Sequence, residues 1–216
     1  MFDYSLAHWL TFVGAGLALE FTPGPSMLYV LGQTARHGRR HGLVGLAGVL
    51  SGGVAHIVLT VFGLAALIAQ SAWLFSMIKW IGAIYLVWLG VQSLCTRSSD
   101  DVAETAATDH RRAVPSAWRA YRQGLLIDLF NPKVALFFLA FIPQFVVAGA
   151  GPVAVQLGLH GVLLLALAAV CDTPLVLIGD RLSRWFKGRR RLALWSERGL
   201  GALFVALGAR LALAHR

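Results

Sequence analysis

Charge is the first thing this chain has little of. Only 13% of its 216 residues are Asp, Glu, Lys or Arg, against about 25% in an ordinary soluble domain. Hydrophobic residues make up 57%, and mean hydropathy is +0.69. This balance leaves little room for a soluble domain and points to a polytopic membrane protein. A span needs about 20 mostly apolar residues, so the length allows roughly six. Cysteine is almost absent. Cys95 and Cys171 sit in apolar runs with no C-x-x-C spacing and no metal-type partner nearby, so they read as small apolar residues. No Ser/His/Asp set and no H-E-x-x-H pattern occurs, so no catalytic or metal residues are assigned and no enzyme is expected. Met1-Phe2-Asp3 lacks the basic start of a signal peptide, so the first apolar run is expected to stay as a span.

What charge there is has one sign and one place. The formal net charge is +9. Fifteen of the 19 Lys and Arg lie in the connections after the first, third and fifth apolar runs, and none lies in those after the second and fourth. The positive-inside bias then places those connections in the cytoplasm and both termini outside. The charge is read as topology and contact with anionic lipid, not as a nucleic-acid surface.

The expected spans run from about Ser5 to Leu31, Gly42 to Ala69, Ala72 to Cys95, Arg122 to Val147, Pro152 to Gly179, and Glu197 to Ala214. Residues 1–95 form the first three-helix half and residues 121–216 the second. The polar stretch 96–120 reads as a cytoplasmic linker between them. The fold class is all-α. Three spans per half is an odd number, so the halves insert with opposite orientation.

Proline is scarce, seven residues in all, and its placement carries the functional reading. Glu20-Phe21-Thr22-Pro23-Gly24-Pro25-Ser26 lies inside the first apolar run, and Asp128-Leu129-Phe130-Asn131-Pro132-Lys133 inside the fourth. Proline removes a backbone donor and crowds the carbonyl four residues back. In hydrocarbon, such an interruption survives only where protein or a wet cavity covers it. Paired broken helices in corresponding positions of two halves mark a transporter's substrate site, because they expose helix-end N–H and C=O groups at mid-membrane. Freed N–H groups suit a carboxylate and freed carbonyls an ammonium group. An amino acid carries both.

Three acids lie beside these features. Counting 1.5 Å per residue, Glu20 is roughly 22 Å from the outer end of its span, and Asp128 and Asp172 are each roughly 10 Å from a cytoplasmic end. All three fall in the inner half of the bilayer and are candidates for proton coupling. Lys133, about one turn beyond Asp128, is its nearest partner in sequence, and the two either neutralise one another or serve the substrate. Glu20 and Asp172 have no sequence-local cation. Gly42, Gly45, Gly48 and Gly52 line one face of the second span and read as a close-packing surface or a smooth wall. His56 is either satisfied by a neighbouring carbonyl or functional. Lys79 either snorkels outward or contributes to the site.

These motifs together resemble the LysE/RhtB-type amino-acid exporters of bacterial inner membranes. The matching residues are Thr22-Pro23-Gly24-Pro25, the glycine series of the second span, Lys79-Trp80-Ile81-Gly82-Ala83-Ile84-Tyr85-Leu86 through Gly90, Gly124 with Asn131-Pro132-Lys133, and Pro143-Gln144-Phe145. The resemblance covers all six spans. It implies six helices in two inverted halves, export of amino acids or close derivatives, proton antiport with no cofactor beyond the proton-motive force, and a homodimer. On this reading Glu20, Thr22, Pro23, Gly24, Pro25, Asp128, Asn131, Pro132 and Lys133 form the substrate site. Glu20 and Asp128 depart from the family pattern, which has an apolar or small residue and asparagine there. The added acid favours a cationic substrate or a different proton path. The alternative is a membrane thiol-redox or metal-cation transport protein, which would need Cys95 with Cys171, or His56 with the acids. A lipid-modifying membrane enzyme is a more distant reading, without a supporting motif.

Overall fold

The computed structural model describes residues 4–21, 24–64 and 115–186, the last with side chains to residue 178, together with isolated positions between 73 and 91 and at 205 and 209. Thr22, Pro23, Lys79 and Cys95 lie outside the described residues, as do the third and sixth spans as segments and most of the 96–120 stretch.

Among the described residues every regular element is helical. They are α1 (Leu6–Phe21), α2 (Pro25–Leu59) running into a π-helical turn (Thr60–Leu64), α3 (Ala117–Leu129), α4 (Pro132–Ala140) followed by a 3-10 turn (Ile142–Phe145), and α5 (Val153–Phe186). Two stretches among the described residues are long and apolar enough to cross a membrane, Pro25–Gly63, which is interrupted at Gly38, and Val153–Ile178. The pair α3 and α4 with its 3-10 turn, bent by 49°, makes a third when taken as one broken span.

The basic segment 36–41, expected as a loop, is helical on both sides of a one-residue reversal. Gly38 has φ 82° and ψ 174°, a conformation that glycine alone adopts at low cost. The chain turns back there. A Cβ built on Gly45 would lie 3.1 Å from the Tyr29 ring, whereas residues 16 apart in a straight helix are about 24 Å apart. The first limb of α2 (25–37) thus packs antiparallel to the second (39–59). Arg36, Arg39 and Arg40 stay exposed around the bend, and His41 Nε2 donates to the Pro115 carbonyl at 3.0 Å, tying the bend to the start of α3. The helix of the fifth span likewise continues beyond Gly179 to Phe186, into what reads from sequence as a basic connection.

The glycine face of the second span is a packing surface. A Cβ on Gly48 would collide with the Tyr121 carbonyl, one on Gly124 with the Gly45 carbonyl, and one on Gly52 would lie 2.7 Å from Asp128 Cβ. Small residues on both helices let α2 and α3 approach backbone to backbone, and α2 and α3 share the most extensive contact in the described structure. Tyr29 Oη donates to the Ala120 carbonyl at 2.6 Å and Tyr121 Oη to Ser51 Oγ at 2.9 Å, locking the register.

Two apolar clusters result. One gathers Phe12, Phe137, Phe138, Phe141, Phe145, Leu157 and Leu164 from α1, α4 with its cap and 3-10 turn, and α5. The other joins Val30, Leu46, Val49 and Val176 from α2 and α5. Large apolar side chains also point outward, among them Leu6, Leu10 and Val13 on α1 and Val162 and Val170 on α5. That outer face suits hydrocarbon and would be a liability in water.

Candidate functional site

Both expected helix breaks are present, and they are built alike. Each second limb starts with proline at its first position, where the missing N–H costs nothing. Gly24 precedes Pro25 at the start of α2, and Asn131 precedes Pro132 at the start of α4. Pro25 thus starts its helix as Pro132 does. Asn131 caps its helix, its side chain accepting from the Lys133 backbone N–H at 3.1 Å.

Between the two apolar clusters lies a cavity of about 70 Å³, well above the ~10–15 Å³ that admits one water. Glu20 of α1, Asp128 and Lys133 from the two sides of the second break, and Asp172 of α5 all line it. Gly24, Ser26 and Asn131 complete its polar wall. Leu19, Phe138 and Leu164 close one side, Val49 and Leu50 another. Residues separated by as much as 152 positions in sequence are thus brought to one place. Glu20 and Asp172, which have no cation near them in sequence, share the cavity with Lys133 and interact electrostatically with it.

The polar contacts cross between the breaks. Ser26 Oγ donates to Asp128 Oδ1 at 2.9 Å and accepts from Asn131 Nδ2 at 3.0 Å. Lys133 Nζ donates to the Leu19 carbonyl at 2.7 Å. In an unbroken helix that carbonyl would bond the N–H of residue 23, but Pro23 has none. The second break repeats the pattern. The Asp128 carbonyl would bond residue 132, also proline. It accepts instead from His56 Nε2 at 3.1 Å and from the Asn131 N–H at 3.0 Å. Each break is thus braced by a side chain from the opposite side of the linker. His56 is buried and stacks on Phe138, so the carbonyl-satisfied reading describes it. Lys133 and Asp128 interact electrostatically across the cavity, while the lysine also reaches the Leu19 carbonyl of α1 and the aspartate takes the Ser26 hydroxyl.

Two features escape a reading of the sequence. Ser26 stands in the first motif, but its link to Asp128 spans 102 positions. A second polar group lies away from the cavity. His8 Nε2 is 2.9 Å from His160 Nε2, Trp9 stacks on His160, and Tyr4 Oη donates to Gln156 Oε1 at 3.0 Å. His160 Nδ1 donates to the Gln156 carbonyl, so in the neutral ring Nε2 accepts from His8. Gln156 also bonds Val147 and Gly151, fastening the loop before α5. The only signal for this group in the sequence is a Gln and a His four residues apart in an apolar run.

Among the described residues no group of three His, Cys, Asp or Glu is arranged to hold a metal ion. Cys171 is half-buried on α5.

Comparison with known proteins agrees with the geometry. An uncharacterized membrane protein of Pseudomonas aeruginosa is 35% identical over 211 residues, covering 97% of this chain and 96% of its own. A homoserine/homoserine lactone efflux protein of Salmonella typhimurium is 30% identical over 207 residues, with 96% and 97% coverage. A leucine efflux protein of Klebsiella pneumoniae is 29% identical over 211 residues, with 97% of each chain covered. No solved structure matches the chain. The profile of the LysE type translocators matches residues 17–215, which takes in both breaks and every residue of the polar cavity wall, and the chain belongs to that family.

Proposed function

We propose that this protein is a secondary transporter that exports amino acids or close derivatives from the cytoplasm by proton antiport, drawing on the proton-motive force and no cofactor. The observation that carries the reading is the single cavity at which both helix breaks meet three carboxylates and one lysine. An amino acid presents an ammonium and a carboxylate, and a pair of broken helices offers partners to both. The relatives named for efflux of homoserine and of leucine support this substrate class. In this reading Gly24, Pro25, Asn131 and Pro132 shape the binding site, together with Thr22 and Pro23. Glu20, Asp128 and Asp172 exchange protons and compensate charge. Six spans in two inverted halves, both termini outside a bacterial inner membrane, and a homodimer belong to the same proposal. No observation among the described residues favours thiol-redox or metal transport.

The test is efflux from proteoliposomes loaded with single amino acids, with and without an imposed proton gradient. Export is expected to accelerate when protons can flow in the opposite direction, and to fall in Glu20→Gln and Asp172→Asn. Efflux at protein-free levels for every amino acid would refute the export reading. Full activity in both variants would remove those acids from the mechanism.

A further inference from the structure

We propose that Lys133 is a tethered stand-in for the substrate ammonium, occupying the ammonium position at the broken end of α1 whenever the site is unloaded. This rests on the amino-acid export reading and deepens it. The Leu19 carbonyl is the one whose helical partner position is taken by Pro23, and Lys133 Nζ sits on it at 2.7 Å. The lysine comes from the other break: it is the second residue of α4, with its backbone N–H held by the Asn131 side chain. Its stem runs past Gly24, where a Cβ would lie 3.3 Å from Lys133 Cδ and 3.5 Å from Nζ. Glu20, Asp128 and Asp172 line the same space.

A carbonyl at the negative end of a helix, surrounded by carboxylates, is where an ammonium group binds. A substrate ammonium and the lysine ammonium therefore compete for one set of partners. Lysine is a compact charge on a flexible four-carbon stem, so it can leave when substrate arrives and return when substrate departs. The gain lies in the unloaded half of the cycle. A site emptied of its cation would bury whichever carboxylates the returning protons leave ionised, which is strongly unfavourable in a low dielectric. With Lys133 in place, the unloaded protein keeps the charge arrangement of the loaded one and can reset. The lysine is thus needed for net export and dispensable for exchange of substrate against substrate, in which the site changes face only when loaded.

The experiment compares the two fluxes in proteoliposomes, using radiolabelled leucine and homoserine as probes. One arm measures net efflux into substrate-free medium, the other exchange against the same unlabelled amino acid. Lys133→Gln is expected to lose net efflux by about tenfold or more, the equivalent of ~1.4 kcal/mol or more on the reset barrier, while exchange stays within about twofold. Lys133→Arg keeps the charge but is bulkier and planar, so it is expected to lose less net efflux than Lys133→Gln. Lys133→Met, neutral and with a stem of similar length, provides a second variant. It is expected to show the same split, and it carries the test if Lys133→Gln does not fold. Parallel loss of both fluxes in a variant that elutes and melts like the wild type would overturn the proposal, because Lys133 would then hold substrate directly. Retention of both fluxes would overturn it equally. A wild type that moves neither probe in either arm would instead count against the export reading for these substrates, and this inference would fall with it.

Discussion

Replacing Gly48 with alanine adds one methyl group where α2 and α3 meet backbone to backbone. The new Cβ would collide with the Tyr121 carbonyl oxygen and lie 2.9 Å from the Leu125 nitrogen. Both are backbone atoms in the middle of α3, so no rotamer change relieves the clash and the helices must part. Overpacking of this kind costs about 1–3 kcal/mol. The better helix propensity of alanine returns about 1 kcal/mol, leaving a net loss of up to about 2 kcal/mol. For a chain of this size that is a drop of up to about 8 °C in Tm. The effect on transport is expected to be larger than the effect on stability. Asp128 lies two turns along α3 from Tyr121 and packs against Gly52, one turn along α2 from Gly48, so parting the helices displaces a cavity carboxylate. A shift of about 1 Å at a reacting group can cost about 10²-fold. Thermal unfolding in detergent, read beside efflux from proteoliposomes, measures both. Gly14→Ala is the control, because nothing lies within 4 Å of a Cβ at that position. A Gly48→Ala protein that melts and transports like the control would refute the claim that close approach of α2 and α3 sets the site.

Other perturbations probe the bracing of the breaks. His56→Ala removes one of two donors to the Asp128 carbonyl. Since Asn131 remains, the cost is expected at the low end of the ~1–3 kcal/mol for an orphaned buried group, seen as a lower Tm with efflux reduced but present. Asn131→Ala removes a helix cap worth about 0.5–2 kcal/mol and the bond to Ser26, so it should lower both stability and efflux, while Asn131→Asp should restore the cap in the melting assay. Ser26→Ala takes away the hydroxyl donor to Asp128 and is expected to change the pH profile of transport more than Tm. Gln156→Leu, close in size, loses its bonds to Tyr4, Val147 and Gly151. At about 1 kcal/mol each the four bonds amount to a loss of about 4 kcal/mol, and limited proteolysis should find faster cleavage in the 147–151 loop.

What could be read in the sequence was whatever declares itself locally. Proline cannot hide in an apolar run, so the breaks near Pro23 and Pro132 were legible, and so were the acids beside them. The glycine series announced close packing because its spacing holds one helical face, and Gly124 answers it from α3. Contacts made through space were not legible. Lys133 reads as the partner of Asp128 because they are five positions apart, and the two do interact, but nothing local signals its bond to a carbonyl 114 positions away. The reversal at Gly38 was hidden because charged residues on both sides look like a loop, although a single glycine suffices to turn the helix back. Nothing local tells which of Pro23 and Pro25 starts a helix, and the structure shows Pro25 at the first position, as Pro132 is. His8 and His160 pair across 152 positions, and no periodicity in either helix signals a partner so far away.

The central claim is that the cavity between the two breaks holds the exported amino acid through its carboxylates. The most direct measurement is equilibrium binding of an amino acid that the wild type exports, made on purified wild type and on the triple variant Glu20→Gln, Asp128→Asn, Asp172→Asn, with Tm recorded for both. Saturable binding in the wild type and a loss of at least about tenfold in affinity, ~1.4 kcal/mol, in a triple variant that still unfolds cooperatively is the expected result. Unchanged affinity with all three acids neutralised would place the amino acid somewhere else in the protein.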